Sequence, residues 1–203
     1  MSGYIGMNLM DVIDQIGEEA TKSLLSDFSC PLNKDVEYFL KNTAIEFSKQ
    51  RISSTFLVMA SYKKEYVLVG YFTLANKVFV LTKNSVPSNR WKKRLSKFCS
   101  FDPEVKRYIL PVPLIGQLGK NYAKSYNKLI SGDELLKLAL DKVKEMQLLV
   151  GGRLVYLECE DIPRLVDFYS SNGFVNFGKR ELDRDETEMI SGEYLLQMLK
   201  YLK

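Results

Sequence analysis

Residues 108–118 read YILPVPLIGQL, and residues 132–149 read GDELLKLALDKVKEMQLL. The first stretch is an apolar run rich in strand formers. Its prolines, Pro111 and Pro113, cannot donate ladder hydrogen bonds, which predicts a sheet edge or a bulge there. The second stretch has a helical period: Leu135, Leu136, Leu138, Ala139, Val143 and Met146 form one apolar stripe. Gly151-Gly152 ends it. Between the two lies a turn-rich loop, residues 119–131. The next apolar run, LVYL at 154–157, completes a strand–helix–strand crossover.

The elements on either side follow from local pattern. Residues 162–171 fit a helix with Pro163 in its first turn, broken by Asn172-Gly173. Residues 174–178 fit a strand; the period of 194–202 fits a strand or a helix. Upstream, STFLVMAS (54–61) and YVLVGYFTLA (66–75) read as a hairpin through residues 62–65, and residues 78–81 continue the sheet. Asn33 reads as an N-cap, with Asp35 and Glu37 in the first turn. Val36, Phe39, Leu40, Thr43, Ala44 and Phe47 then recur at helical spacing as far as Gln50. Residues 1–32 read as a prelude with one helix near 12–25. Residues 86–106 form an insert whose segment 88–98 is a basic helix carrying the only tryptophan, Trp91. The whole predicts one α/β domain of α+β type over residues 1–203, with a mixed, mostly antiparallel sheet flanked by helices.

Composition narrows the chemistry. The chain has 203 residues and 46% apolar content, enough for a sizeable core. It has no histidine, which excludes Ser-His-Asp and Cys-His catalysis and His-ligated metals. Cys30, Cys99 and Cys159 are far apart with no CxxC pair, so neither a zinc nor a redox site is expected. An odd cysteine count without a signal peptide points to a reduced, cytoplasmic setting. No apolar run approaches the ~18 residues of a membrane span. The net charge is +4, but Arg90, Lys92, Lys93, Arg94 and Lys97 cluster within eight residues. That cluster is either a solvated helix face or a phosphate-contacting patch.

Two places carry chemistry. The loop entering the helix at Ser131-Gly132 gathers free backbone N–H groups at a positive dipole end, which suits a phosphate. It is not a P-loop, because Gly116-Gln117-Leu118-Gly119-Lys120 lacks the spacer and the hydroxyl residue after lysine. The second place is Asp167-Phe168-Tyr169-Ser170-Ser171-Asn172-Gly173-Phe174, where Tyr169 closes a helix.

In this order the two places resemble the GNAT superfamily of acetyl-CoA-dependent N-acetyltransferases. The resemblance covers residues 33–202. It rests on Leu114-Ile115-Gly116-Gln117-Leu118, on residues 154–158 and on Phe-Tyr-x-x-x-Gly-Phe at 168–174. It implies a single GNAT-like domain with a splayed central strand, and acetyl transfer from acetyl-CoA to a primary amine by direct attack. The backbone of Gln117, Leu118, Gly119 and Lys120 would line the pantetheine arm. Asn127, Lys128, Leu129, Ile130, Ser131, Gly132 and Asp133 would surround the pyrophosphate. Tyr169 would be the general acid that protonates the departing thiolate, a small mismatch between a phenol near ~10 and a thiol near ~8.5. Backbone N–H groups near Gly119 and Lys120 would receive the oxyanion. Glu158 and Glu160, just past the strand, are the candidate bases.

The chain departs from the family's Gln/Arg-x-x-Gly-x-Gly/Ala loop. Residues 127–132 keep only the last glycine, Ile130 adds a side chain where backbone would meet phosphate, and residues 121–126 look about two residues longer. Lys128 would offset the loss by pairing with a phosphate.

The front half narrows the acceptor. Phe28-Ser29-Cys30-Pro31-Leu32, Val36, Phe39-Leu40, Ala44, Ser53-Ser54-Thr55-Phe56 and VGYFTL (69–74) resemble the toxin-type acetyltransferases that act on the amino acid of a charged tRNA. Under that resemblance Arg90, Lys92, Lys93 and Arg94 would form the substrate track. Three alternatives stay open. The acceptor is a protein or small-molecule amine, the domain is a degenerate one that only binds partners, or the insert serves a homodimer or a lid with Trp91 as its anchor. No metal is implied.

Overall fold

The structure is a computed structural model that describes residues 3–182 and 193–203. Its contacts divide it into two compact units, Met1–Ala75 with Ile115–Lys142, and Asn76–Leu114 with Val143–Lys203.

In the first unit, β1 (Tyr4–Asn8), α1 (Leu9–Ile16) and α2 (Glu18–Ser26) replace the expected prelude. β1 pairs antiparallel with β2 (Ser54–Tyr62), from Tyr4↔Ala60 to Asn8↔Phe56. Asn8 caps α1 by accepting from Met10 N, and Gly17, at φ 81, breaks α1 from α2. Leu9, Val12 and Leu25 are all buried, so this segment belongs to the core. A strand reading YIGMN is too short and glycine-bearing for its period to show.

α3 (Lys34–Tyr38), a π-turn (Phe39–Thr43) and α4 (Ala44–Lys49) form the helical stretch expected after Asn33, whose side chain accepts from Val36 N. β2 and β3 (Glu65–Thr82) form the expected hairpin. Its turn residues, Lys63 and Lys64, both take left-handed φ values of 52 and 70, as a two-residue turn of the primed type requires. The long strand β5 (Arg107–Lys120) enters this unit at Ile115 and leads to α6 (Gly132–Val150). The core gathers Phe28, Val36, Leu40, Leu57 and Tyr71, with the Phe28 ring set edge-on to Tyr71 at 5.3 Å.

Gly119 of β5 faces α3 at a distance no side chain tolerates. A Cβ there would collide with Val36 Cγ1 and touch the rings of Phe28 and Tyr71. The Tyr71 hydroxyl donates to Val36 O and holds that turn of α3 in place.

In the second unit, α5 (Asn89–Leu95), β4 (Phe101–Asp102), β6 (Leu154–Cys159), α7 (Pro163–Ser171), β7 (Val175–Glu181) and β8 (Tyr194–Tyr201) join the remaining parts of β3 and β5. The strand order is β1-β2-β3-β5-β6-β8-β7, with β4 on β5. Residues 194–201 are therefore a strand, antiparallel to both β6 and β7. β5 is not an edge strand, which removes one of the two placements its prolines predicted; it lies between β3 and β6. Pro111 and Pro113 sit at alternate positions, so their missing donors fall on the same side of the strand. Leu110, Val112 and Leu114, the residues between and beside them, are buried. Trp91 anchors α5 in this core, edge-on to Phe177 at 4.9 Å.

Replacing Gly119 with alanine is expected to cost about 1–3 kcal/mol, because β5 and α3 must separate. Adding Val36→Ala relieves the collision, so in urea denaturation the double variant should lose less than the sum of the single losses. Strictly additive losses would show that the contact does not set the spacing.

Candidate functional site

The first unit holds the strand-to-helix junction. Gln117 is partly buried, and its Nε2 donates to Asp35 Oδ2 at 2.8 Å. Lys120 turns its ammonium into the loop, donating to Asn127 O at 2.8 Å and Ile130 O at 2.9 Å. Asn121, 2% exposed, follows β5 with its side-chain amide bound at three points. Its Oδ1 accepts from Ser29 N and Ala123 N, and its Nδ2 donates to Leu68 O. Beyond it, Lys124 and Ser125 take left-handed φ values of 50 and 62 inside a 3₁₀ turn, Ala123–Lys128. This local detour matches the extra length read from the sequence. Tyr4 adds a tie from the far end of the unit, its hydroxyl donating to Leu129 O at 2.9 Å.

Two expectations for this loop change. Ile130 is 2% exposed, so its side chain is packed in the core rather than spread over a phosphate position. The helix N-terminus is also partly occupied, since two of its backbone donors, Ser131 N and Glu134 N, are already bonded. The Ser131 hydroxyl accepts from Glu134 N at 3.1 Å, while Glu134 Oε2 accepts from Ser131 N and Ser131 Oγ at 2.8 Å each. This is a reciprocal capping box. The hydrogen bonds from Ser131 hold the Glu134 carboxyl below the usual carboxylate range, with the Lys120 charge contributing. Asp133 adds a second acidic group to the same turn, and Lys128 is exposed.

The second unit holds Tyr169, half-buried in the last turn of α7. Its ring lies 5.0 Å from Phe168 and 5.8 Å from Phe174. Burial pushes the phenol well above its ordinary value, and the nearby Cys159 adds to the shift. Cys159 itself is pushed up to about 11, chiefly by burial. Gly173, at φ 79, turns the chain so that Phe174 N donates to Tyr169 O. Lys200 Nζ donates to Asn172 O at 2.6 Å, placing a cation at the negative end of α7.

Glu158 lies inside β6, opposite Gln197, and not past its end. Its Oε2 accepts from Arg180 Nε at 2.9 Å and its Oε1 from Gln197 Nε2 at 3.0 Å. Glu160 does follow β6 and is half-buried. On α5, Arg90 and Lys93 are exposed and Lys92 is half-buried. Arg94 is not an outward charge: its guanidinium lies 4.5 Å from the Tyr201 ring and 5.1 Å from Trp91.

Sequence reading missed Asp35, Asn121 and Glu134 as parts of this site. Ser131-x-x-Glu134 has the spacing of a capping box and could have been found. Asp35 meets Gln117 across 82 residues, and no local pattern reports that contact.

No family model matches the chain, and no curated protein matches it in sequence. Solved structures do. AtaT complexed with acetyl-methionyl-tRNAfMet matches at 17% identity and TM-score 0.62, over 96% of this chain and 94% of that one. A tyrosine-to-phenylalanine mutant of KacT matches at 15% identity and TM-score 0.60, over 96% and 93%. AtaTR bound with AcCoA matches at 18% identity and TM-score 0.56, over 97% and 93%. AtaT and KacT have the GNAT fold, and this chain shares it.

The capping box has a pH signature. Glu134's folded pKa is depressed, so its contribution is complete above the ordinary carboxylate value of about 4.3 and is lost as pH falls through the lower folded value. Glu134→Ala should therefore lower the melting temperature near neutral pH. The gap to the natural protein should close as melts are run below about pH 4. A gap that stays constant with pH would remove the carboxylate from the cap.

Proposed function

We propose that this protein is an acetyl-CoA-dependent N-acetyltransferase whose acceptor is the α-amine of an aminoacyl-tRNA. The support is the GNAT fold, matched over nearly the whole chain by AtaT in complex with acetyl-methionyl-tRNAfMet and by AtaTR bound with AcCoA. Structures of both AtaT and KacT include tyrosine-to-phenylalanine mutants. We assign the general acid to Tyr169, in the last turn of α7.

The amine nitrogen attacks the thioester carbonyl carbon, and the carbonyl oxygen takes the negative charge. A backbone N–H of β5 near Gly119 and Lys120 receives that charge. The carbon–sulfur bond then breaks, and the thiolate takes the Tyr169 proton. Burial keeps this phenol protonated up to high pH. The same loss of water raises the basicity of a thiolate formed beside it, which keeps the proton transfer near balance. The α-amine of an amino acid ester is less basic than a lysine side chain, so attack needs little help from a strong base. Glu158, already bound to Arg180 and Gln197, is poorly suited to that task. Glu160 is the freer of the two carboxylates first considered.

The cofactor's phosphates fall to residues 127–133, with Lys128 as the exposed cation. Glu134 opposes them, because its carboxylate is bound to Ser131 at the N-terminus of α6. A phosphate seated at that turn meets this negative charge. That observation also favours a second reading, a domain that has kept the fold and binds a partner without acetyl-CoA. On α5, Arg90 and Lys93 remain available for a phosphate backbone, whereas Arg94 serves the core.

Two measurements separate these readings. Saturating acetyl-CoA should raise the melting temperature, by an amount equivalent to ~2.7 kcal/mol at a hundredfold excess over Kd. No shift at millimolar cofactor would favour the partner-binding domain. Tyr169→Phe should then cut turnover by roughly 10²–10⁴ while the acetyl-CoA shift persists. An unchanged rate would end the assignment of Tyr169.

A further inference from the structure

Asp35 is a half-buried carboxylate in the first turn of α3. Its Oδ2 accepts one hydrogen bond, from the neutral amide of Gln117 at 2.8 Å. Among the described residues it has no cationic partner. The neighbouring carboxylate contrasts with it: Glu37 is tied to the Lys41 ammonium at 2.7 Å and to Cys30 N at 2.7 Å. Besides that amide it has the positive end of α3, in whose first turn it lies, and it keeps room for a cationic ligand.

Its place is fixed by packing. Gln117 and Gly119 are two apart on β5 and so share a face. Gly119 lets that face press on Val36, the residue after Asp35, and Tyr71 holds Val36 O from the other side. Asp35 therefore stands over the part of β5 whose backbone the proposed function assigns to the acetyl thioester. Its charge is felt by the neighbouring Tyr71 of β3, whose phenol it raises further after burial.

We propose that Asp35 binds the α-ammonium group of the aminoacyl acceptor and thereby selects amines over neutral nucleophiles at this strand. This rests on the acetyltransferase reading above. The ammonium supplies the counter-charge that Asp35 lacks, while Gln117 orients the carboxylate. As the reaction proceeds, the ammonium must lose a proton before attack, and the carboxylate holds it until water takes that proton.

The test is Asp35→Asn. The amide oxygen can still accept from Gln117, so folding and acetyl-CoA affinity should be unchanged. The probe is bulk tRNA charged with mixed amino acids, with release of the CoA thiol as the signal. The acceptor KM should rise about tenfold or more, the loss of one charge-assisted hydrogen bond, with kcat within about threefold. Asp35→Glu should recover part of the loss, which a purely structural role would not. An acceptor KM equal to that of the natural protein overturns the role of Asp35 and leaves acetyl transfer standing. Natural protein that binds acetyl-CoA yet acetylates none of the charged tRNAs overturns both the acceptor and the role of Asp35. Natural protein that shows no acetyl-CoA shift overturns the transferase reading, and Asp35 with it.

Discussion

The close approach of β5 to α3 at Gly119 is the constraint on which the first unit turns. With no Cβ at that position, Val36 can lie directly on the strand. Three consequences follow from that one contact. Tyr71 reaches Val36 O and is fully buried beside Phe28. Asp35 comes within hydrogen-bond distance of Gln117. The strand then runs on to Asn121, whose side chain is bound at three points before the loop begins. A rigid strand end is what a backbone site for a substrate requires, because its donors must be held in place before the charge develops.

The loop after Asn121 follows a different logic from the glycine-rich kind. A glycine loop meets phosphate by leaving backbone bare. Here Ile130 is driven into the core, Lys120 holds two loop carbonyls, and Glu134 binds the Ser131 N–H at the start of the helix. The loop is thus stable without a ligand. The consequence for affinity is direct: an anion arriving at α6 competes with a carboxylate already in place and gains less than it would at an empty N-terminus.

Regular elements with a clear period were legible in the sequence: the hairpin, α6, α7 and β6 fall where their patterns put them. The N-terminal strand and its two helices were not, because five residues with a central glycine carry no period and Gly17 hides the break between helices. The position of β5 misled for a different reason. Proline argues locally for an edge, but two prolines at alternate positions affect only one side of a strand. Of the candidate site, the placement of Tyr169 was legible because its signature is contiguous with a helix end and a glycine turn. Asp35 was not, since its meaning depends on a contact across 82 residues.

The carboxylates of a chain without histidine divide by what already holds them. Glu158 is paired with Arg180 and Glu37 with Lys41, while Glu134 is bound by the backbone and hydroxyl of Ser131. Each of these is committed to the fold, and freeing any of them would leave a polar partner unsatisfied. Asp35 is held only by an amide, which orients a carboxylate without cancelling its charge. Under the proposed function such a group receives its counter-charge from the arriving amine, in a chain that has no imidazole to supply one.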